Sequence, residues 1–178
     1  MLQNLFEQAF QTFLLNESEN IGTGVSERNL CARLAMSLER EAANIDLIGY
    51  YADPEYNRKQ NGQVKTILDD DLHVVNITCD IILHSRGEIV SRDNLIAIEM
   101  KKSDRTEHEK QSDRTRIRAL TKTSYDGVYS YDGVTHPEHV CGYEVGYYLE
   151  LNRQQSLFLV ERYQVGELCS SEEISYGL

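Results

Sequence analysis

Two nearly continuous apolar runs, Thr78–His84 and Asn94–Lys101, dominate the middle of the chain. Residues two apart on a strand share a face. In the first run Asp80 and Ile82 therefore fall on one face, with Cys79, Ile81 and Leu83 on the other. In the second, Leu95, Ala97, Glu99 and Lys101 share a face, opposite Ile96, Ile98 and Met100. Such continuity predicts strands covered on both sides. A hairpin between them brings Asp80 toward Glu99 and Lys101.

Upstream, Ser26–Ala43 carries Leu30, Leu34 and Leu38 at four-residue intervals, with Cys31 and Ala35 beside them. This is the stripe of an amphipathic helix, and Ser26 is a residue type that caps one. Leu2–Leu14 gathers Leu2, Leu5, Phe6, Ala9, Phe10, Phe13 and Leu14 on one side, predicting a helix that packs or dimerises. Asn16–Val25 reads as a loop, and its Gly-Thr-Gly lacks the preceding strand and following G-K-[ST] of a phosphate loop. Strands are expected near Leu47–Tyr51 and around Tyr56. Lys59–Asp71 reads as a polar loop ending in an acidic turn, Asp69-Asp70-Asp71.

Downstream, Ser103 or Asp104 is expected to cap a helix reaching Lys122. Tyr125–Pro137 reads as a loop with two Asp-Gly turns. In Val140–Leu151, Cys141, Tyr143, Val145, Tyr147, Leu149 and Leu151 alternate onto one face, and a turn at Asn152–Gln154 leads into a second strand, Gln155–Tyr163. A helix between two strands of one sheet favours a right-handed parallel crossover. The expected fold class is α/β, with an αβββαβ core: a mixed central sheet flanked by helices.

Charges at the ends of buried strands are costly unless paired or bound to a metal. Asp80, Glu99 and Lys101 at the rim of such a sheet fit a site for a hard cation, and Mg²⁺ takes one or two carboxylates plus water and phosphate oxygens. An E-x-K tripeptide by itself is more often a solvated ion pair of small value. Glu27, at about 100° per residue, lies over Cys31, Leu34 and Leu38 and becomes a third candidate acid; the plainer reading is a first-turn glutamate favoured by the helix dipole. Arg114, Arg116, Arg118 and Lys122 form a basic cluster, in which Arg114, Arg118 and Lys122 share a helix face. They read either as a phosphate-contacting stripe or as a solvated face balanced by Glu107, Glu109 and Asp113. His84, four residues after Asp80, is a competing candidate for the metal or a leaving group. His136 and His139 read as solvated beside Pro137.

Helix Glu27, then Asp80, then Glu99-x-Lys101 resembles the PD-(D/E)xK, restriction-endonuclease-like nucleases. With Glu55-Tyr56-Asn57-Arg58 the segment is similar to the uncharacterised bacterial branch of that superfamily. The resemblance covers about Ser26–Leu151, and Thr78-Cys79-Asp80 stands where the family name has Pro-Asp. It implies a restriction-endonuclease-like fold and a nuclease acting on nucleic acid, with DNA favoured. Mg²⁺ or Mn²⁺ would be held by Asp80, Glu99 and the carbonyl of Met100, with Glu27 serving a second ion or orienting water. Lys101 would act on the attacking water or on the charge of the transition state, and Lys102 and Arg58 join Arg114, Arg118 and Lys122 as candidate nucleic-acid contacts. An RNA-cutting relative and a silent fold used as a binding or assembly module are the alternatives.

Composition changes this picture in one respect. With 29 acidic and 18 basic residues the net charge is −11, whereas a protein gripping phosphates usually shows a basic footprint. Part of the acid sits in Asp69–Asp71 and in Glu167–Glu173. The length suits a single domain: residues 1–25 as packing helix and loop, 26–163 as core, and 164–178 as an acidic tail. Four cysteines without metal-like spacing read as thiols of a reducing cytoplasm. The start MLQNLFEQAF lacks a basic leader and contains Glu7. No apolar run approaches a membrane span, so no membrane partner is expected. A homodimer is compatible with cutting both strands of a duplex.

Overall fold

The computed structural model describes residues 1–56, 66–68, 74–76, 78–125, 129–130 and 142–177. In chain order the elements are α1 (Leu2–Thr23), α2 (Glu27–Asn44), β1 (Tyr51–Pro54), β2 (Thr66–Leu68), β3 (Val74–Asn76), β4 (Ile81–His84), β5 (Asn94–Lys102), α3 (Glu107–Thr121), β6 (Ser124–Tyr125), β7 (Tyr129–Ser130), β8 (Val145–Asn152), β9 (Leu157–Gln164) and β10 (Glu167–Ser175). Six strands form one mixed sheet in the order β1-β4-β5-β8-β9-β10. Its pairs are antiparallel except β5–β8, which runs parallel from Ile96↔Val145 to Lys102↔Leu151. β2–β3 and β6–β7 form two small separate ribbons.

Helices cover both faces. Phe6, Phe10 and Phe13 of α1 and Leu30, Leu34 and Leu38 of α2 share one core with Ile81, Leu83, Ile96, Ile98, Met100, Tyr147, Leu149 and Phe158. Phe6 stacks on Tyr147 at 3.6 Å between centroids, and Phe10 meets Phe158 edge-on at 5.3 Å. On the opposite face Ile117 and Leu120 of α3 pack with Cys79, Ile82, Ala97, Tyr143, Tyr148 and Tyr163. β5 and β8 thus lie between two apolar layers, which accounts for their unbroken apolar sequences. No helix among the described residues is long and apolar enough to cross a membrane.

Several elements differ from the sequence expectation. α1 runs on through residues 16–23, which read as loop. Buried Glu17 pairs with Arg33 of α2 at 2.6 Å and accepts from Asn20, and Ile21 is fully buried. A tertiary ion pair thus carries the helix through a polar stretch up to Gly24, whose φ of 82° closes it. Residues 45–50 turn, so the first strand is Tyr51–Pro54 rather than Leu47–Tyr51. α3 starts later than expected, because Thr106 and Glu109 form a capping box.

Two side chains change face. Leu83 pairs with Ile96 and His84 with Asn94, so a bulge leaves Leu95 without a β4 partner. Leu95 accordingly joins Ile96 in the core beneath α1 and α2. Cys79 precedes the strand and turns to the α3 side, where its thiol donates to the Ile98 carbonyl at 3.3 Å. The acidic stretch at the end of the chain is the outer strand β10. The expected strand around Tyr56, most of the Lys59–Asp71 loop and the Asp-Gly turns fall largely or wholly outside the described residues.

Close approach of α3 to the sheet depends on Gly146. A Cβ there would lie 2.7 Å from Ile117 Cγ2 and 2.8 Å from Thr121 Cγ2. Both neighbours are β-branched and fixed by the helix. Gly146→Ala is expected to cost about 1–3 kcal/mol through overpacking, read as a lower urea midpoint. Unchanged stability would show that α3 does not seat against β8 as described.

Candidate metal-binding and nucleolytic site

β4 ends one residue short of Asp80, and this places the acid. Ile81 pairs with Ile98, so the backbone of Met100 extends beyond β4. Asp80 Oδ2 fills the gap by accepting from the Met100 N–H at 2.8 Å. Between Ile98 and Met100 on β5, Glu99 points to the α3 face and is only 1% exposed. Its Oε1 accepts from Arg116 Nη1 of α3 at 2.8 Å, while its Oε2 is buried with no hydrogen-bond partner. Lys101 Nζ lies 2.9 Å from Asp113 Oδ2, and Arg116 reaches the other Asp113 oxygen at 3.3 Å.

The electrostatics follow from this crowding. Burial pushes the Glu99 carboxyl well above its usual range; the Asp80 charge adds to this and Arg116 opposes it. Burial also raises Asp80, against the Met100 N–H and the charge of Lys101. Burial would lower the Lys101 ammonium, but Asp113 outweighs it and keeps Lys101 firmly charged. Asp80 and Glu99 thus form a pair of like charges in which the protonated state of one supports the ionised state of the other.

Glu27 closes the upper side. Its Oε1 accepts from the Lys102 N–H at 2.9 Å and lies 3.4 Å from Arg105 Nε. The acid is a fifth exposed, at the start of α2, and its charge is felt by both Lys101 and Cys31. The structure therefore brings Asp80, Glu99, Lys101 and Glu27 into one neighbourhood, with the Met100 backbone among them. Lys102 contributes its N–H to Glu27 and its Nζ to the Gly24 carbonyl at 3.4 Å. Asp113 and Arg116 were not singled out as site residues from the sequence. The available signal was their i,i+3 spacing on the side of α3 that also carries Ile117 and Leu120.

Other candidates lie elsewhere. His84 sits at the far end of β4, about 13 Å along the strand from Asp80 at roughly 3.3 Å per residue. It is buried against Asp53 at 3.0 Å, with Arg86 on the same carboxylate, so it belongs to a separate ion cluster. Glu55, by contrast, adjoins the site: its N–H donates to the Asp80 carbonyl at 3.0 Å, while its carboxylate pairs with exposed Arg28 at 2.6 Å. Arg114 donates twice to Glu161, lies 3.6 Å from Glu150 and stacks 4.1 Å over Tyr148. Arg118 reaches the Gly166 carbonyl and lies over Tyr163. These geometries match the balanced-face alternative for Arg114 and Arg118 rather than an open phosphate stripe. Lys122 caps α3. Arg58, His136 and His139 fall outside the described residues. Recesses against α1, one lined by Phe6, Tyr147 and Arg162 and one by Leu5 and Ile45, contain none of the site acids.

The donor set fits a hard divalent cation. Two adjacent carboxylates, one with an orphaned buried oxygen, leave negative charge that Arg116 only partly offsets. Among the described residues no group of three or more His, Cys, Asp or Glu side chains is arranged to hold a metal by itself. Any ion here would complete its shell with backbone carbonyl, water or substrate oxygens, as Mg²⁺ commonly does. Comparison with protein-family models, curated proteins and solved structures finds no match.

Because Arg114 is the cation paired with buried Glu161, whose other close donor is the Tyr163 hydroxyl, Arg114→Ala is expected to lower stability by about 2–4 kcal/mol through an uncompensated, mostly buried charge. Chemical denaturation checks this. A loss below about 0.5 kcal/mol would mean that Arg114 is a surface cation available to an external anion.

Proposed function

We propose that this protein is a metal-dependent nuclease that hydrolyses phosphodiester bonds of nucleic acid, with DNA the favoured substrate. The observation that carries the reading is the convergence of Asp80, Glu99 and Lys101 at the sheet rim, with one buried carboxylate oxygen left unpaired. The order α2-β1-β4-β5-α3-β8, with an antiparallel meander followed by a parallel strand, supports the αβββαβ core that the sequence resemblance implies.

Asp80, Glu99 and the Met100 carbonyl would hold Mg²⁺ or Mn²⁺, with Glu27 near the entrance. Such a cation supplies Lewis acidity, neutralising charge on a scissile phosphate and making water a better nucleophile. The protein's own groups do the rest. Asp80 is fixed by the Met100 N–H, so its orientation is set before any ligand arrives. Lys101 is held charged by Asp113, which suits it to stabilising negative charge in the transition state and not to acting as a base at neutral pH. Glu27 accepts from the backbone of Lys102 and so holds the end of β5 against the start of α2.

Charge placement supports a nucleic-acid substrate despite the acidic total. β10, which carries Glu167, Glu172 and Glu173, lies three strands from β5, about 14 Å away at roughly 4.8 Å per strand. Near the site stand Lys101, Lys102, Arg105 and Arg28, the last two half or more exposed and paired with Glu27 and Glu55. A second reading, a silent fold used as a binding module, draws on the Arg116–Glu99 contact, since a guanidinium already occupies part of the cation's electrostatic role.

Supercoiled plasmid and mixed-sequence RNA, each incubated with Mg²⁺ or Mn²⁺, test the proposal. Cleavage is expected with wild type, and Asp80→Ala and Lys101→Ala should each reduce it about a hundredfold or more, with circular dichroism unchanged. Cleavage that persists in both variants would move the site elsewhere. An intact substrate with every cation would select the binding-module reading.

A further inference from the structure

Arg116 contacts two carboxylates with opposite claims on it. Its Nη1 lies 2.8 Å from Glu99 Oε1 and 3.3 Å from Asp113 Oδ1, one turn earlier on the same helix. Glu99 cannot move to water, because it is only 1% exposed and belongs to β5. Arg116 can, because a quarter of its side chain is exposed. We infer that Arg116 is a displaceable counter-ion: it neutralises Glu99 while no cation is bound, and withdraws onto Asp113 when a divalent cation takes Glu99 together with Asp80. This rests on the cation site proposed above and adds a built-in competitor to it.

The geometry makes the exchange inexpensive. A guanidinium stays charged at any accessible pH, so it must end beside another anion. Asp113 is that anion already, and it divides its oxygens: Oδ1 lies 3.3 Å from Arg116 and Oδ2 lies 2.9 Å from Lys101 Nζ. Arg116 can pivot toward Oδ1 without dislodging Lys101. Its five donors let one guanidinium contact both carboxylates at once, so the Asp113 contact is already in place when Glu99 is released. On withdrawal both Glu99 oxygens become available beside Asp80, including the Oε2 that has no partner now. A monovalent cation would gain little over the single charge it replaces, whereas a divalent cation neutralises both carboxylates. The same contact therefore selects for charge and keeps the acid pair from standing unneutralised.

Titration calorimetry with Mg²⁺ on wild type, Arg116→Met and Arg114→Met tests the idea, together with the Arg116 Nε–Hε nuclear magnetic resonance signal of wild type. Arg116→Met is expected to bind Mg²⁺ about tenfold more tightly, equivalent to about 1.4 kcal/mol, and Arg114→Met to stay within about twofold of wild type. The wild-type Arg116 signal should shift in proportion to Mg²⁺ occupancy. A plain loss of positive charge would also tighten Arg116→Met, but it would leave that signal in place in wild type. Mg²⁺ binding with an unmoved Arg116 signal, or with equal or weaker affinity in Arg116→Met, overturns the counter-ion role and leaves the cation site standing. The wild-type signal alone decides should Arg116→Met fail to fold. If neither wild type nor Arg116→Met takes up Mg²⁺, the counter-ion role and the cation site fall together.

Discussion

Placing two carboxylates side by side in a dry sheet rim is the constraint around which the rest of the molecule is arranged. Left alone, Asp80 and Glu99 would carry a desolvation cost of several kcal/mol per ion. The fold supplies partial answers from three directions. The Met100 N–H, exposed because β4 stops at Ile81, caps Asp80. α3 delivers Arg116 to Glu99 and Asp113 to Lys101 from the opposite layer. The start of α2 brings Glu27 to the Lys102 N–H. None of these fully neutralises the pair, and the orphaned Glu99 Oε2 is the visible residue of that shortfall.

That arrangement explains what most of the cations of α3 do. Lys110, Arg114 and Arg116 answer acids that the sheet turns toward it: Glu150, Glu161 and Glu99. Read along the sequence, the arginines look like a stripe aimed outward at phosphates. Read through the sheet, they neutralise β5, β8 and β9, and Tyr148 and Tyr163 provide the aromatic faces on which Arg114 and Arg118 rest. The more exposed cations, Arg105 and Arg28, stand where α2 begins and β5 runs out, and they pair with Glu27 and Glu55.

Much of the frame was legible in the residues. The Leu30-Leu34-Leu38 stripe and Ser26 located α2, and the apolar alternations located β4, β5, β8 and the β8–β9 hairpin, because in each case local pattern and burial agree. Asp80, Glu99 and Lys101 could be placed together because strand periodicity fixes faces. The failures share a cause. Residues 16–23 look like a loop until Arg33, on another helix, pairs with Glu17. Leu95 changes face because of a bulge that no local signal announces. Asp113 and Arg116 became site residues only once α3 was known to dock on β5. His84 was misplaced because sharing a face with Asp80 says nothing about the four residues of strand that separate them.

Asp80 and Glu99 are proposed to hold a divalent cation jointly. Anomalous diffraction from crystals grown with Mn²⁺ tests it most directly. A peak is expected within ligand distance of both carboxylates, near the Met100 carbonyl. The absence of a peak at saturating Mn²⁺, or a peak bound by other acids of this chain, would contradict it.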